Sequence, residues 1–165
     1  MRCPSYGGHL ISFGVYGTMR KISPPTLMLA CLLGMMTVHW LFPILWISSW
    51  GLLFVGIVFI TLGLVIAFGA EKQFRQSGTT VDHLGSASRL VTDRWFKYSR
   101  NPLYFSFVLM LMGVWLLLGS LSPLAFILAF ILLTEQWYIL PEEKRLAATF
   151  ENDYRSYLKR TRRWI

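Results

Sequence analysis

A chain of 165 residues has room for one domain, and this one is 55% hydrophobic with only 15% charged residues and a mean hydropathy of +0.50. A soluble domain of that size has no interior large enough to hide so much apolar surface, so the composition is that of a membrane protein. The net charge of +8 would suit nucleic acid, but the bases lie beside apolar runs, where anionic headgroups and membrane orientation account for them; no nucleic acid is expected as a partner.

Residues 1–23 are a mixed tail ending in Arg20-Lys21. They hold no compact apolar core followed by small residues, as a signal peptide would. Cys3 in this tail and Cys31 in the first apolar run suit neither a disulfide framework nor a metal site. Pro24-Pro25 opens an apolar run to Ile44, interrupted by His39, and about 20 residues suffice to cross the hydrocarbon core. Pro43 marks the turn after it. The second run, 47–70, is rich in Gly and β-branched residues, which membrane helices tolerate, and Glu71-Lys72 ends it.

Residues 71–101 are the longest polar segment. The third run is 103–119, Gly119-Ser120-Leu121-Ser122-Pro123 is a tight turn, and the fourth run is 124–140. Pro141 either breaks that run or restarts it as a new helix, since proline is acceptable in a first turn. Spans are thus expected at 25–44, 48–70, 103–119 and 123–140. Beyond Pro141, Leu146, Phe150, Tyr154, Tyr157 and Leu158 share one helical face. That pattern predicts an amphipathic helix lying on the membrane or packed under the bundle. Lys159-Arg160-Thr161-Arg162-Arg163-Trp164-Ile165 reads as a basic, aromatic-tipped anchor. The fold class expected is all-α: a polytopic membrane bundle of four transmembrane helices plus a C-terminal amphipathic helix, in a single domain over 1–165.

Every Lys and Arg lies in the N-terminal tail, in 71–101 or after Pro141; the two short connections, near Pro43 and Gly119, have none. Four spans place the three basic segments on one side, which the positive-inside rule makes cytoplasmic.

Two polar clusters stand at the ends of apolar runs. In Arg100-Asn101-Pro102-Leu103-Tyr104, Pro and Asn are ordinary features of a helix start, with Arg at the headgroups. The same arrangement offers free N–H groups and a positive dipole end to an anion, and Arg100 adds a fork for a carboxylate. Glu142-Glu143 are ordinary first-turn acids. At a membrane boundary, such carboxylates can also accept from ribose hydroxyls or pair with an ammonium. Glu135 lies about five residues inside the fourth run. It either snorkels to a basic partner at the interface or serves a functional site. His39 beside Trp40 reads as interfacial, and His83 beside Asp82 is a base without visible partners.

The ordered combination resembles the isoprenylcysteine carboxyl methyltransferase and phospholipid N-methyltransferase superfamily of integral membrane methyltransferases. It is carried by Leu90-Val91, Phe96-Lys97-Tyr98, Arg100-Asn101-Pro102-Leu103-Tyr104, Glu142-Glu143, Leu146, Phe150, Tyr154 with Tyr157, and Arg162-Arg163-Trp164, with Gly78-Thr79-Thr80-Val81-Asp82 upstream. It covers residues 70–165. Arg94 and Ser106 stand where the family has Gly, and Phe96 where it has Tyr.

The resemblance implies S-adenosyl-L-methionine as cofactor, bound on the cytoplasmic side by the segments 90–104 and 141–158. The residues it assigns to cofactor binding are Leu90, Val91, Tyr98, Arg100, Asn101, Pro102, Tyr104, Glu142 and Glu143, with Arg100 and Glu135 carrying the chemistry. It implies membrane lipids as partners and a lipophilic methyl acceptor: a prenylcysteine carboxylate, an amino-phospholipid or a small thiol. Methyl transfer to a thiolate or carboxylate needs alignment and exclusion of water, whereas an amine must first lose a proton, the step at which His83 or Glu135 would act. Two other readings stay open: a membrane reductase using NADPH, and a non-catalytic membrane scaffold of the same fold.

Overall fold

A computed structural model of the chain describes residues 22–47, 49–76 and 90–165. Cys3, Asp82, His83 and the 78–82 motif lie outside the described residues. The described chain is helical: α1 (Pro24–Leu41), α2 (Trp50–Gln76), the single turn α3 (Trp95–Tyr98), α4 (Pro102–Leu118), α5 (Leu124–Thr134) and α6 (Leu140–Arg160). A π-helical turn, Glu135–Ile139, joins α5 to α6 without a break. Among the described residues, three helices are long and apolar enough to cross a membrane: α1, α2 and the continuous rod Leu124–Arg160. At 17 residues, α4 lies at the lower limit for a span. The expected membrane bundle with its C-terminal amphipathic helix is therefore the observed architecture.

Two boundaries differ from expectation, each for a physical reason. Glu71-Lys72 does not end α2, which continues to Gln76. Its polar last turns carry an exposed Glu71–Arg75 ion pair at i,i+4, 3.7 Å long. They also present Gln73, whose amide donates to the Asp93 carbonyl at 2.7 Å and whose oxygen accepts from the Trp95 N–H at 3.3 Å. Pro141 restarts the fourth helix in the same direction. The Leu140 N–H reaches back five residues to the Glu135 carbonyl, and that wider turn places proline in the first turn of a new register, where its missing N–H is harmless.

The closest packing joins α2 to α4 through small residues. A Cβ on Gly113 would stand 2.6 Å from the Gly56 carbonyl, and one on Gly63 would stand 2.8 Å from the Ser106 carbonyl. Backbones this near are the means by which helices associate in lipid, where apolar side chains gain little by leaving the solvent. Ser106 is small enough to serve at its glycine-like position. It is fully buried, and its hydroxyl donates to the Leu103 carbonyl at 2.6 Å. On the other side of α4, α1 and α5 close the core around Met35, Leu111 and Phe130, all fully buried.

The two base-free connections meet at one end of the bundle. The Ile47 N–H donates to the Gly119 carbonyl and the Leu121 N–H to the Ile44 carbonyl, both at 2.8 Å. His39 Nδ1 lies 2.7 Å from Ser120 Oγ, so the histidine that reads as interfacial is a structural tie. Trp40, Trp46 and Trp50 are largely exposed at this end, as an aromatic belt at a membrane surface requires. The opposite end holds α3, the start of α4, the π turn and the C-terminus.

Candidate functional site

At that opposite end, three stretches distant in sequence come together. α6 bends at Glu151, where φ is 33° and the helical path is interrupted. Past the bend, Tyr154 and Tyr157 are buried, while Leu158, expected on the same face, is 40% exposed. The bend resets the periodicity, so a stripe drawn straight through it misplaces the last turn. The Tyr157 hydroxyl donates to the Phe96 carbonyl at 2.6 Å, and the Thr161 hydroxyl to the Lys97 carbonyl at 3.3 Å. This clamps α6 under the bundle.

The chain beyond α6 then folds back over the start of α4. The Arg100 N–H donates to the Arg162 carbonyl at 3.0 Å. The Asn101 amide donates to the Arg163 carbonyl at 3.1 Å, and the Ser99 hydroxyl donates to the same carbonyl at 3.5 Å. The Asn101 N–H is taken up by Ser99 Oγ at 3.1 Å. The buried Ser99 and Asn101 thus have their polar groups engaged by the returning terminus.

The side chain of Arg163 makes the densest contact. Its Nε and Nη2 donate to Glu143 Oε1 and Oε2 at 3.1 Å and 2.8 Å, a bidentate fork. Its Nη1 donates to Glu135 Oε1 at 2.5 Å. Arg100 approaches Glu143 from the other side, with Nη1 2.9 Å from Oε1. Exposure of these side chains is 13% for Arg100, 16% for Glu143, 27% for Glu135 and 33% for Arg163, so the two acids and two bases form a neutral, largely enclosed quartet. The hydrogen bond to Glu143 holds the Arg163 guanidinium above its ordinary value, against the opposing effect of burial.

A cavity of about 30 Å³ opens beside the quartet, lined by Arg100, Asn101, Glu142, Glu143, Leu146, Tyr154 and Tyr157. Arg100 Nε and Nη1 are shut off from water there without a hydrogen-bond acceptor; the approach to Glu143 is a charge contact without hydrogen-bond alignment. Burial pushes the Tyr154 and Tyr157 hydroxyls up, with Arg100 pulling the other way, so both stay protonated in the neutral pH range. Crowding by protein pushes the Glu142 carboxyl up, offset by Arg145. Because Glu142 keeps an exposed surface, water screens much of that effect.

Of the residues assigned from the sequence to cofactor binding or chemistry, Arg100, Asn101, Glu142 and Glu143 line this cavity, and Glu135 joins them through Arg163. The others lie apart from its lining. Tyr98 is 73% exposed, Leu90 and Val91 are half-buried, and Pro102 and Tyr104 are buried within α4, with the Tyr104 ring stacked on Tyr138. Arg163 reads in the sequence as one base among several in a terminal anchor. Nothing in its spacing distinguishes it, because its partners lie 20 and 28 residues upstream. The i,i+3 pair Tyr154 and Tyr157 carried a weak signal, two hydroxyls on one buried face.

A family model described as phospholipid methyltransferase matches residues 52–153, from α2 into α6. No curated protein matches the chain, and no solved structure does.

Arg94, which reads in the sequence as standing at a family glycine, has a backbone that suits glycine. Arg94 has φ 47° and ψ −113°, a left-handed conformation that side chains with a Cβ rarely adopt. Arg94→Gly is expected to stabilise the protein by about 1 kcal/mol, since relief of strain exceeds the added freedom of the unfolded chain. The check is thermal unfolding in detergent, where an unchanged or lower midpoint would show that Arg94 is unstrained.

Proposed function

The chain belongs to the phospholipid methyltransferase family, and on that footing we propose that it is an S-adenosylmethionine-dependent methyltransferase acting on a lipophilic acceptor. The observation that carries the reading is the donor set at the cavity. Arg100, whose Nε and Nη1 are shut off from water without a hydrogen-bond partner while Nη1 keeps a charge contact with Glu143, lines the cavity with two carboxylates and an asparagine at the polar end of two antiparallel apolar helices. That chemistry fits a zwitterionic ligand with hydroxyls. Arg100 offers donors to a carboxylate, while Glu142 and Glu143 accept from an ammonium or from ribose hydroxyls. The helix start at Asn101 and Pro102 adds the positive end of α4. S-adenosylmethionine, when bound, supplies an activated methyl group.

The chain's own residues then have three tasks. Arg100 and the two glutamates orient the ligand, and Tyr154, Tyr157 and Leu146 exclude water from it. Glu135, at the apolar side of the quartet, orients the acceptor or, for an amine such as an amino-phospholipid, takes its proton. A prenylcysteine carboxylate or a thiol needs no such step. The acceptor enters from the bilayer, and both termini and the cofactor site face the cytoplasm.

Calorimetry of the detergent-purified chain with S-adenosylhomocysteine tests the assignment. The parent is expected to bind, and Arg100→Ala and at least one of Glu142→Gln and Glu143→Gln to bind about tenfold to a hundredfold more weakly, the cost of one charge-assisted hydrogen bond. Binding of NADPH in place of S-adenosylhomocysteine points to a reductase, and binding of neither to a scaffold. If all three variants match the parent while remaining monodisperse and helical, the site lies elsewhere.

Glu135→Gln separates the two tasks of that residue from ligand binding. Turnover is expected to fall without loss of S-adenosylhomocysteine affinity. A loss of affinity would place Glu135 among the ligand contacts, and unchanged turnover would leave it a tether for Arg163.

Orientation is tested by cysteine accessibility in intact cells, in a background without Cys3. Ser120 is buried against His39, so the informative positions at the short-connection end are Ser49 and Leu121, both exposed. Cysteines there should be labelled from outside, and one at the exposed Asn152 protected; the opposite pattern reverses the topology.

A further inference from the structure

The cavity has the right donors and the wrong size. About 30 Å³ admits one or two water molecules, whereas nucleoside-sized ligands occupy several hundred. Beside the cavity, Arg163 and the backbone of Arg162 and Arg163 cover Glu135, Glu143 and the start of α4. Resting on the reading of the site given above, we propose that residues 162–165 are a latch across the site. Arg163 holds the two acids until a ligand displaces it.

Three independent sets of contacts converge on this. Arg163 engages both carboxylate oxygens of Glu143 at 3.1 Å and 2.8 Å, so that the bidentate face of that carboxylate is taken from a ligand cation. It reaches Glu135 as well, tying the acid nearest the acceptor side to the acid nearest the cofactor side. The backbone of the same residues takes up the Arg100 N–H and the Asn101 side-chain amide, two donors at the start of α4. The latch therefore mimics the cationic pole of a zwitterion: its guanidinium stands where a cation would bind.

The anchorage of the latch is reversible in character. Its bonds are side-chain and single-strand contacts, without a helix or sheet ladder to lose on opening. α6 ends at Arg160, and the hydrogen bonds of Tyr157 and Thr161 to the α3 carbonyls form a fixed hinge immediately before it. Displacement of Arg163 leaves Glu135 and Glu143 short of one positive charge, so a ligand bringing a cationic group is favoured over a neutral one of similar shape.

A latch lowers the apparent affinity by the fraction of molecules that are open, so removing it tightens binding. Calorimetry with S-adenosylhomocysteine on the parent chain, on Arg163→Gln and on Arg163→Lys reads this directly. Arg163→Gln is expected to bind at least about tenfold more tightly than the parent. Arg163→Lys should fall between the two, because an ammonium keeps the charge without the fork. Detectable binding by Arg163→Gln alone has the same meaning. Equal or weaker binding by Arg163→Gln overturns the latch and leaves the site standing, and binding by none of the three proteins overturns both. Carboxypeptidase trimming of Ile165 and Trp164 gives a second measurement on the unmutated protein, independent of how the variants fold. Saturating S-adenosylhomocysteine should accelerate trimming severalfold. Unchanged or slower trimming in a sample that binds the ligand overturns the proposal.

Discussion

Two carboxylates at the polar end of an apolar hairpin cannot be left without counter-charge, and much of this end of the molecule follows from how they are neutralised. Glu135 and Glu143 are eight residues apart on one continuous rod, too close to the hydrocarbon for water to solvate both fully. Each ionised group in such surroundings needs a partner and its hydrogen bonds. One partner, Arg100, comes from the residue pair before α4. The other, Arg163, comes from the end of the chain. Satisfying the acids draws the terminus back across the start of α4, and the backbone hydrogen bonds from Arg100 and Asn101 to Arg162 and Arg163 complete the closure.

The π turn at Glu135–Ile139 makes that arrangement geometrically possible. One additional residue in the turn rotates everything after it by about 100° relative to an uninterrupted α-helix. Without that rotation, Glu143 and the residues before the turn would present different faces to the bundle. The same turn absorbs Pro141, so a single local device accommodates a proline and aligns the acids. Such turns in membrane helices recur at functional sites because the widened backbone costs stability unless something is gained there. At the far end of the bundle the constraint is different. The two short connections have no charge to neutralise and are tied by backbone pairs and by His39 to Ser120, a rigid cap that holds the spacing of the helices.

The departures from the family pattern have local explanations of unequal weight. Ser106 costs little, because the close approach of α2 needs a small residue and its hydroxyl folds back onto its own helix. Phe96 needs no hydroxyl: its ring meets Phe74 and its carbonyl is the acceptor for Tyr157. Arg94 is the costly one, since only glycine adopts its backbone angles freely.

Hydropathy by itself determined the class and the helices. The reason is that lipid forces every span to satisfy its backbone internally. The contiguous motifs Arg100-Asn101-Pro102 and Glu142-Glu143 were legible for the same kind of reason: each announces itself by a few neighbouring residues at the end of an apolar run. What lies between distant residues was not legible. The bend at Glu151 and the register shift at Glu135–Ile139 move side chains around the helix axis by amounts no fixed period anticipates. The pairing of Arg163 with acids far upstream depends on where the chain turns after Arg160, and only the packing of Tyr157 and Thr161 against α3 decides that. One base among several in a terminal run becomes the centre of the site because tertiary structure brings it there, while Arg160 and Arg162 beside it remain exposed.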